Sequence, residues 1–226
     1  MRRSLLFALL LALALPSLAA APARPYHLEL EASPAAPFPF LAKFGKVTLH
    51  VYGGGVRAET LWLNGFSRNA TPAITVLNPL GRMYTEVPVA SVGSIVARLS
   101  AGELKNMSAI LATPVNGRVS ELPATRYRLI FGPTAYIDVW STHAVPENAQ
   151  LRAVVNQFVT GLAPQIGALA RTIPGTPVYV ELNFRRYQKL PLLRLKSVAY
   201  DDNGEADALS VGSFYIHASV LDAIWK

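Results

Sequence analysis

Residues 46 to 63 read KVTLHVYGGGVRAETLWL, and two architectures hang on the three glycines at their centre. A glycine loop that cradles phosphate must open onto a helix N-terminus, whose free N–H groups hold the anion. A glycine turn that only reverses the chain is flanked by strands on both sides. Before the glycines, Val47, Leu49 and Val51 share one face while Thr48, His50 and Tyr52 share the other. After them, Val56, Ala58, Thr60 and Trp62 alternate with Arg57 and Glu59, and Leu61 and Leu63 continue that second face. Alternation of this kind marks half-buried antiparallel strands. No Gly-Lys-Ser/Thr sequence is present, so Gly53 to Gly55 read as a hairpin turn in which residues without Cβ take positive φ.

The same period of two recurs outward. Thr71 to Leu77 and Arg82 to Val87 read as strands joined by the turn Asn78-Pro79-Leu80-Gly81. Arg126 to Phe131 and Ala135 to Thr142 flank Gly132-Pro133. Pro177 to Tyr187, Leu190 to Tyr200 and the short Phe214 to His217 complete the set. Asn203-Gly204, inside DDNGEAD, reads as a hairpin turn between the last two, with weak calcium binding as the competing reading. That loop has its glycine fourth rather than sixth and Gly212 in twelfth place, unlike an EF-hand.

Helical spacing interrupts the strands at about 88–112 and 146–174. Val92, Ile95, Val96 and Leu99 form a short apolar stripe, followed by the capping-box pattern Ser100 to Glu103 and then Leu104, Met107 and Leu111. From Asn148 to Ile173 one face carries Leu151, Val154, Val155, Phe158, Leu162, Ile166, Leu169 and Ile173. Gly161 and Pro164 are expected to kink or split this helix, since proline removes a backbone donor and clashes with the preceding turn. The stripe reads as core, or as a lid over an apolar cavity.

MRRSLLFALLLALALPSLAAAPA, residues 1–23, has the three parts of a cleavable signal peptide, with Ala21-Pro22-Ala23 as the small-residue site. Its apolar run is too short to span a bilayer comfortably. Residues 24–226 are read as one exported domain, periplasmic or secreted. The chain has no cysteine, so stability must come from an ordinary hydrophobic core. The net charge of +7 includes Arg2 and Arg3, which leave with the signal peptide. The modest positive balance suits an acidic partner, anionic headgroups or peripheral membrane contact, and export argues against nucleic acid.

Chemistry-bearing patterns are sparse. His27, His50, His143 and His217 carry no metal-ligand spacing. Gly65-Phe66-Ser67-Arg68-Asn69 lacks the final glycine and strand-to-helix setting of a nucleophile elbow and reads as a loop. Glu59, Glu86, Asp138 and Glu181 each fall on an expected strand, so an acid–base pair would require two of them to meet across the sheet. No catalytic residue, metal site or cofactor is assigned, and the chain is read as non-enzymatic.

Several stretches together resemble the exported half-barrel proteins related to the periplasmic lipoprotein carriers, LolA- and LolB-like in architecture. These are KVTLHVYGGGVRAETLWL, TPAITVLNPLGRMYTEVPV, Asn116-Gly117 leading to Ala124 to Leu129, Ile137 to Trp140, and the closing SFYIHASVLDAIWK. More closely the chain is similar to an uncharacterised secreted bacterial family of that group. The long helical insert from Pro146 to Pro174 and His217-Ala218, in place of a proline-containing turn, depart from its pattern. The resemblance implies a lipid, acyl chain or lipoprotein held between a curved sheet and its covering helices.

The expected fold is mainly β (α+β): a strongly curved antiparallel sheet forming a half-barrel, with amphipathic helices over the concave face. Its expected function is carrier-like binding of a hydrophobic or amphipathic ligand in the cell envelope. The alternative is an envelope protein–protein interaction module with a filled core. Trp62, Ile74, Val76, Met83, Trp140, Phe158 and Phe184 are the candidate cavity lining, chosen as large apolar residues on periodic elements, with a dry packed core as the competing reading.

Overall fold

The computed structural model of the chain describes residues 24–32, 45–60, 63–69, 72–99, 107–185, 187–200 and 205–225. Residues 1–23, read as the signal peptide, lie outside them. The first six strands are β1 Tyr26–Ala32, β2 Lys46–Val51, β3 Gly55–Glu59, β4 Asn64–Arg68, β5 Ala73–Asn78 and β6 Met83–Pro88. After α1 (Val89–Leu99) come β7 Ile110–Leu111, β8 Val115–Val119, β9 Leu122–Ile130 and β10 Tyr136–Thr142. Helices α2 (Ala149–Leu162) and α3 (Pro164–Ala170) precede β11 Thr176–Phe184 and β12 Tyr187–Tyr200. A short α4 (Glu205–Ala208), β13 Ile216–His217 and α5 (Val220–Trp225) close the chain.

All the strands join one large curved, unclosed sheet in the order β13-β6-β5-β4-β3-β2-β1-β12-β11-β10-β9-β7, with β8 beside β7 on the outer edge of β9. Every pairing is antiparallel except β13 with β6. Register shifts in the β1–β12, β10–β11 and β11–β12 pairs mark irregularities of the kind that bend a sheet. One continuous core contains Ile74 of β5, Leu129 of β9 and Leu151, Val155 and Ile166 of the helices, so the sheet curls around α1, α2 and α3. This is the half-barrel.

The glycine turn joins β2 to β3 through the Val51–Val56 pair, as the alternation requires. The need for glycine differs from the expected one. Gly53, Gly54 and Gly55 have no positive φ. Instead, a Cβ on Gly55 would lie 2.3 Å from the Ser67 carbonyl of β4, so close strand approach demands the missing side chain.

Three sequence expectations change. Gly65 to Asn69 is not a loop, because Asn64–Arg68 forms β4 and is hydrogen-bonded between β3 and β5. The helix expected to reach Leu111 does not: residues 107–109 are in no helix and Ile110–Leu111 pairs with β9, while residues 100–106 lie outside the described set. Residues 201–204 are outside it too, while Glu205–Ala208 is helical and Ile216–His217 adds to β6 in parallel rather than returning along β12. In each case pairing with a distant strand overrides a local signal.

Helix α2 starts at Asn148, whose side-chain oxygen accepts from the Leu151 N–H at 2.9 Å. It stops at Ala163, and Pro164 opens α3 in the first helical position, where its missing N–H is harmless. Helix α2 runs through Gly161 without a break; a Cβ there would sit 2.3 Å from the Gly93 carbonyl of α1, so the two helices touch backbone to backbone. Glu147, just before α2, and Arg152, within it, form a buried ion pair, Nη1 to Oε2 3.3 Å. The Tyr26 hydroxyl donates to the Pro146 carbonyl nearby at 2.6 Å.

Part of the outer face is covered. Tyr52, Phe66 and Leu77 form a second small core with Leu209. Arg57 donates to the Ala208 carbonyl at 2.8 Å, and Arg68 donates to the Leu209 carbonyl at 2.8 and 2.6 Å. These bonds hold the C-terminal segment against the sheet. Glu59, on the same face, has His50 Nε2 at 3.6 Å and accepts from Arg57 Nε at 2.7 Å; His50 and Arg57 hold its carboxyl down at about 2. A carboxyl lowered on folding stabilises the native state above the ordinary glutamate range and loses that contribution as pH falls through the folded value. Half-exposure screens the effect. The midpoint of thermal unfolding should therefore decline between about pH 4.5 and 2 less steeply in Glu59→Gln than in the parent, and equal slopes would refute the assignment.

Among the described residues no helix is long and apolar enough to cross a membrane.

Candidate functional site

Strands β8 and β9 form a hairpin around Ser120 and Glu121, closed by the Val119–Leu122 pair, with Ser120 at φ 51°. Among the described residues β8 pairs on one side only, with β9. Val115, Asn116, Gly117 and Arg118 are all exposed, and only Val119 is half-buried. A five-residue strand end to end with solvent leaves a row of N–H and C=O groups without strand partners. Its polar sequence, VNGRV, keeps such an edge from being a general aggregation site.

The ground behind this edge is specific. Strand pairings put Trp140 opposite Arg126 of β9 and Tyr179 of β11, where it is half-buried against the main core. From β10 the indole reaches across β9 as far as β8, where a Cβ on Gly117 would lie 2.7 Å from the ring. Gly117 is thus the residue that lets the indole come to the edge. The Arg126 guanidinium lies 5.9 Å from the indole centroid. Its neighbour Arg128 is differently placed: it donates to both oxygens of the buried Asp138, at 2.7 and 2.6 Å, and lies 3.9 Å from the Tyr136 ring. The hydrogen bonds to Asp138 push the Arg128 pKa upward, so this pair is a fixed cross-strand brace. Beside the hairpin opens a cleft of about 380 Å³, lined by Asn116, Gly117, Thr125, Tyr127, Thr142 and His143 among others.

The seven residues predicted from the sequence are dispersed. Ile74 and Val76 are buried in the main core under the helices. Met83 is half-buried at the start of β6, paired with Ile216. Phe184 is half-buried at the end of β11, 5.6 Å from the Phe131 ring, with Arg185 stacked on it at 4.9 Å. Trp140 is half-buried at the margin of the same core that holds Ile74 and Val76. Trp62 and the side chain of Phe158 lie outside the described residues. Two of the carboxylates do meet: Asp138 and Glu181 are cross-strand partners, but Arg128 holds the first and the Tyr179 hydroxyl donates to the second at 3.1 Å. Among the described residues no group of three or more His, Asp or Glu could hold a metal ion. Gly117 and Arg126 were not singled out from the sequence. A glycine inside an alternating stretch, marking close approach of another group, is the signal that points to Gly117.

No protein-family model and no curated protein matches the chain. Among solved structures it is similar to an uncharacterized conserved protein from Thermus thermophilus, with 9% identity and a TM-score of 0.49 over 88% of this chain and 91% of that one. A structure of MucB in complex with MucA(peri) gives 12% identity and a TM-score of 0.41, over 97% of this chain and 63% of that one. The Pseudomonas aeruginosa MucA/MucB complex gives 12% and 0.39, over 89% and 60%. The chain thus spans less than two thirds of the length of the latter two matched chains.

Proposed function

We propose that the protein is an exported, non-enzymatic interaction module of the cell envelope that captures an extended segment of a protein partner along the edge of β8. The observation that carries this reading is the open strand itself, exposed over four of its five residues and paired, among the described residues, with β9 alone. An edge of this kind adds a further strand through main-chain hydrogen bonds, and neighbouring side chains supply the selectivity. The buried apolar cluster beneath α1 and α2 suits a scaffold that presents an edge. A carrier of the LolA or LolB kind, holding a lipid, acyl chain or lipoprotein between sheet and helices, is the alternative.

Two substitutions test the edge. N–H groups of successive strand residues point to opposite sides, so one of Val115→Pro and Asn116→Pro removes a donor facing away from β9. Envelope proteins cross-linked to the parent should be lost from that variant while its circular dichroism is unchanged. Partners retained by both variants would refute the edge reading. Native mass spectrometry of the same preparation covers the alternative: added mass matching an extracted lipid would establish the carrier function instead.

A further inference from the structure

Resting on that edge reading, we infer that the captured strand is acidic, and that it sets a carboxylate against the Arg126 guanidinium where this lies beside Trp140. The charges around the hairpin support it. Arg128 is neutralised by Asp138, in a bidentate pair. Arg118 has Glu121 at 3.6 Å, with both side chains largely in solvent. Arg126 has the indole face as its recorded partner and no carboxylate among the described residues. An arginine laid against an aromatic ring keeps its N–H groups free in the ring plane, oriented to bind a carboxylate through two parallel hydrogen bonds.

The backbone geometry opens a path to that group. Arg126 is paired with Val115 of β8, so a strand added beyond β8 would lie two strand spacings away, roughly 10 Å. An extended arginine and a glutamate can together span that gap. At Gly117 the indole edge takes the place of a side chain on this face of β8, so a side chain of the added strand would run along the ring toward Arg126 rather than against a Cβ. The net charge of the chain is positive, which draws acidic segments toward it from a distance.

The test is selection of a displayed library of random dodecapeptides on the purified full protein, with the winners remade as synthetic peptides and titrated by fluorescence anisotropy. Asp and Glu should be enriched, and binding should weaken with added salt. Arg126→Gln should weaken binding about tenfold or more, the loss expected for one charge-assisted hydrogen-bonded contact. Arg126→Lys, which keeps the charge and loses the planar fork, should recover part of it, and Arg171→Gln, at an exposed position on another element, should bind as the parent does. Winners without excess Asp or Glu that the β8 proline variant abolishes would overturn this inference and leave the edge reading standing. Acidic winners that bind Arg126→Gln as tightly as the parent would also overturn it. Peptides indifferent to the proline variant, or no peptide at all, would remove both.

Discussion

Glu147→Ala is expected to destabilise the protein by about 3–5 kcal/mol, because it leaves a buried guanidinium without its counter-charge. Arg152 is 3% exposed and Glu147 7%. The carboxylate holds Arg152 Nη1 at 3.3 Å and accepts the Gly175 N–H at 3.0 Å, so its removal orphans two donors. Arg152 keeps only the Arg171 and Ile173 carbonyls, at 3.0 and 3.4 Å, and its Nε is already without a partner. Burial pulls its pKa down to about 10, against the upward pull of Glu147. The double variant Glu147→Gln with Arg152→Met should recover much of the loss, since an apolar replacement removes the desolvation cost together with the pair. Urea unfolding measures both; a loss below about 1 kcal/mol for the single variant would show that the pair is solvated after all.

Leu193→Ala should cost about 2–5 kcal/mol. Leu193 is 1% exposed and lies on β12, where it faces Val180 of β11 on one side and pairs with Ala32 of β1 on the other. Strand β12 joins the two halves of the sheet, so its side chains cannot shift to fill a void without disturbing both neighbours. The same truncation at exposed Leu80, in the β5–β6 turn, should change stability by less than about 0.5 kcal/mol. Equal effects at the two positions would contradict the placement of the core.

Neither residue of the Glu147–Arg152 pair stood out in the sequence. Glu147 follows a proline just before the helical stretch, and Arg152 falls off the apolar stripe of α2 like a solvent-facing position. They become core only because the chain brings Gly175 and Ile173 back over them. Trp140, by contrast, was legible as a large residue on an alternating strand, yet alternation assigns it a face without saying which face the helices cover. The Gly65 stretch shows the same limit from the other side. Asn-Gly there looks like a turn, and it is a strand because β3 and β5 hydrogen-bond both its edges.

By itself the sequence determined that the protein is mainly β, where most strands run, that the triple glycine turns a hairpin, and that the long helix breaks at Pro164. These are local matters, set by side-chain period, by turn chemistry and by the donor that proline lacks. Only the tertiary structure decided that β1 pairs with β12 to join the two halves, that β13 runs parallel to β6, that Gly55 and Gly161 serve close approach, and that β8 lies at a rim with Trp140 and Arg126 behind it. A strand carries the same alternation whether it is central or at an edge. What distinguishes the two is which distant segments supply the missing hydrogen bonds, and that choice is made by the burial of the whole sheet around its helices.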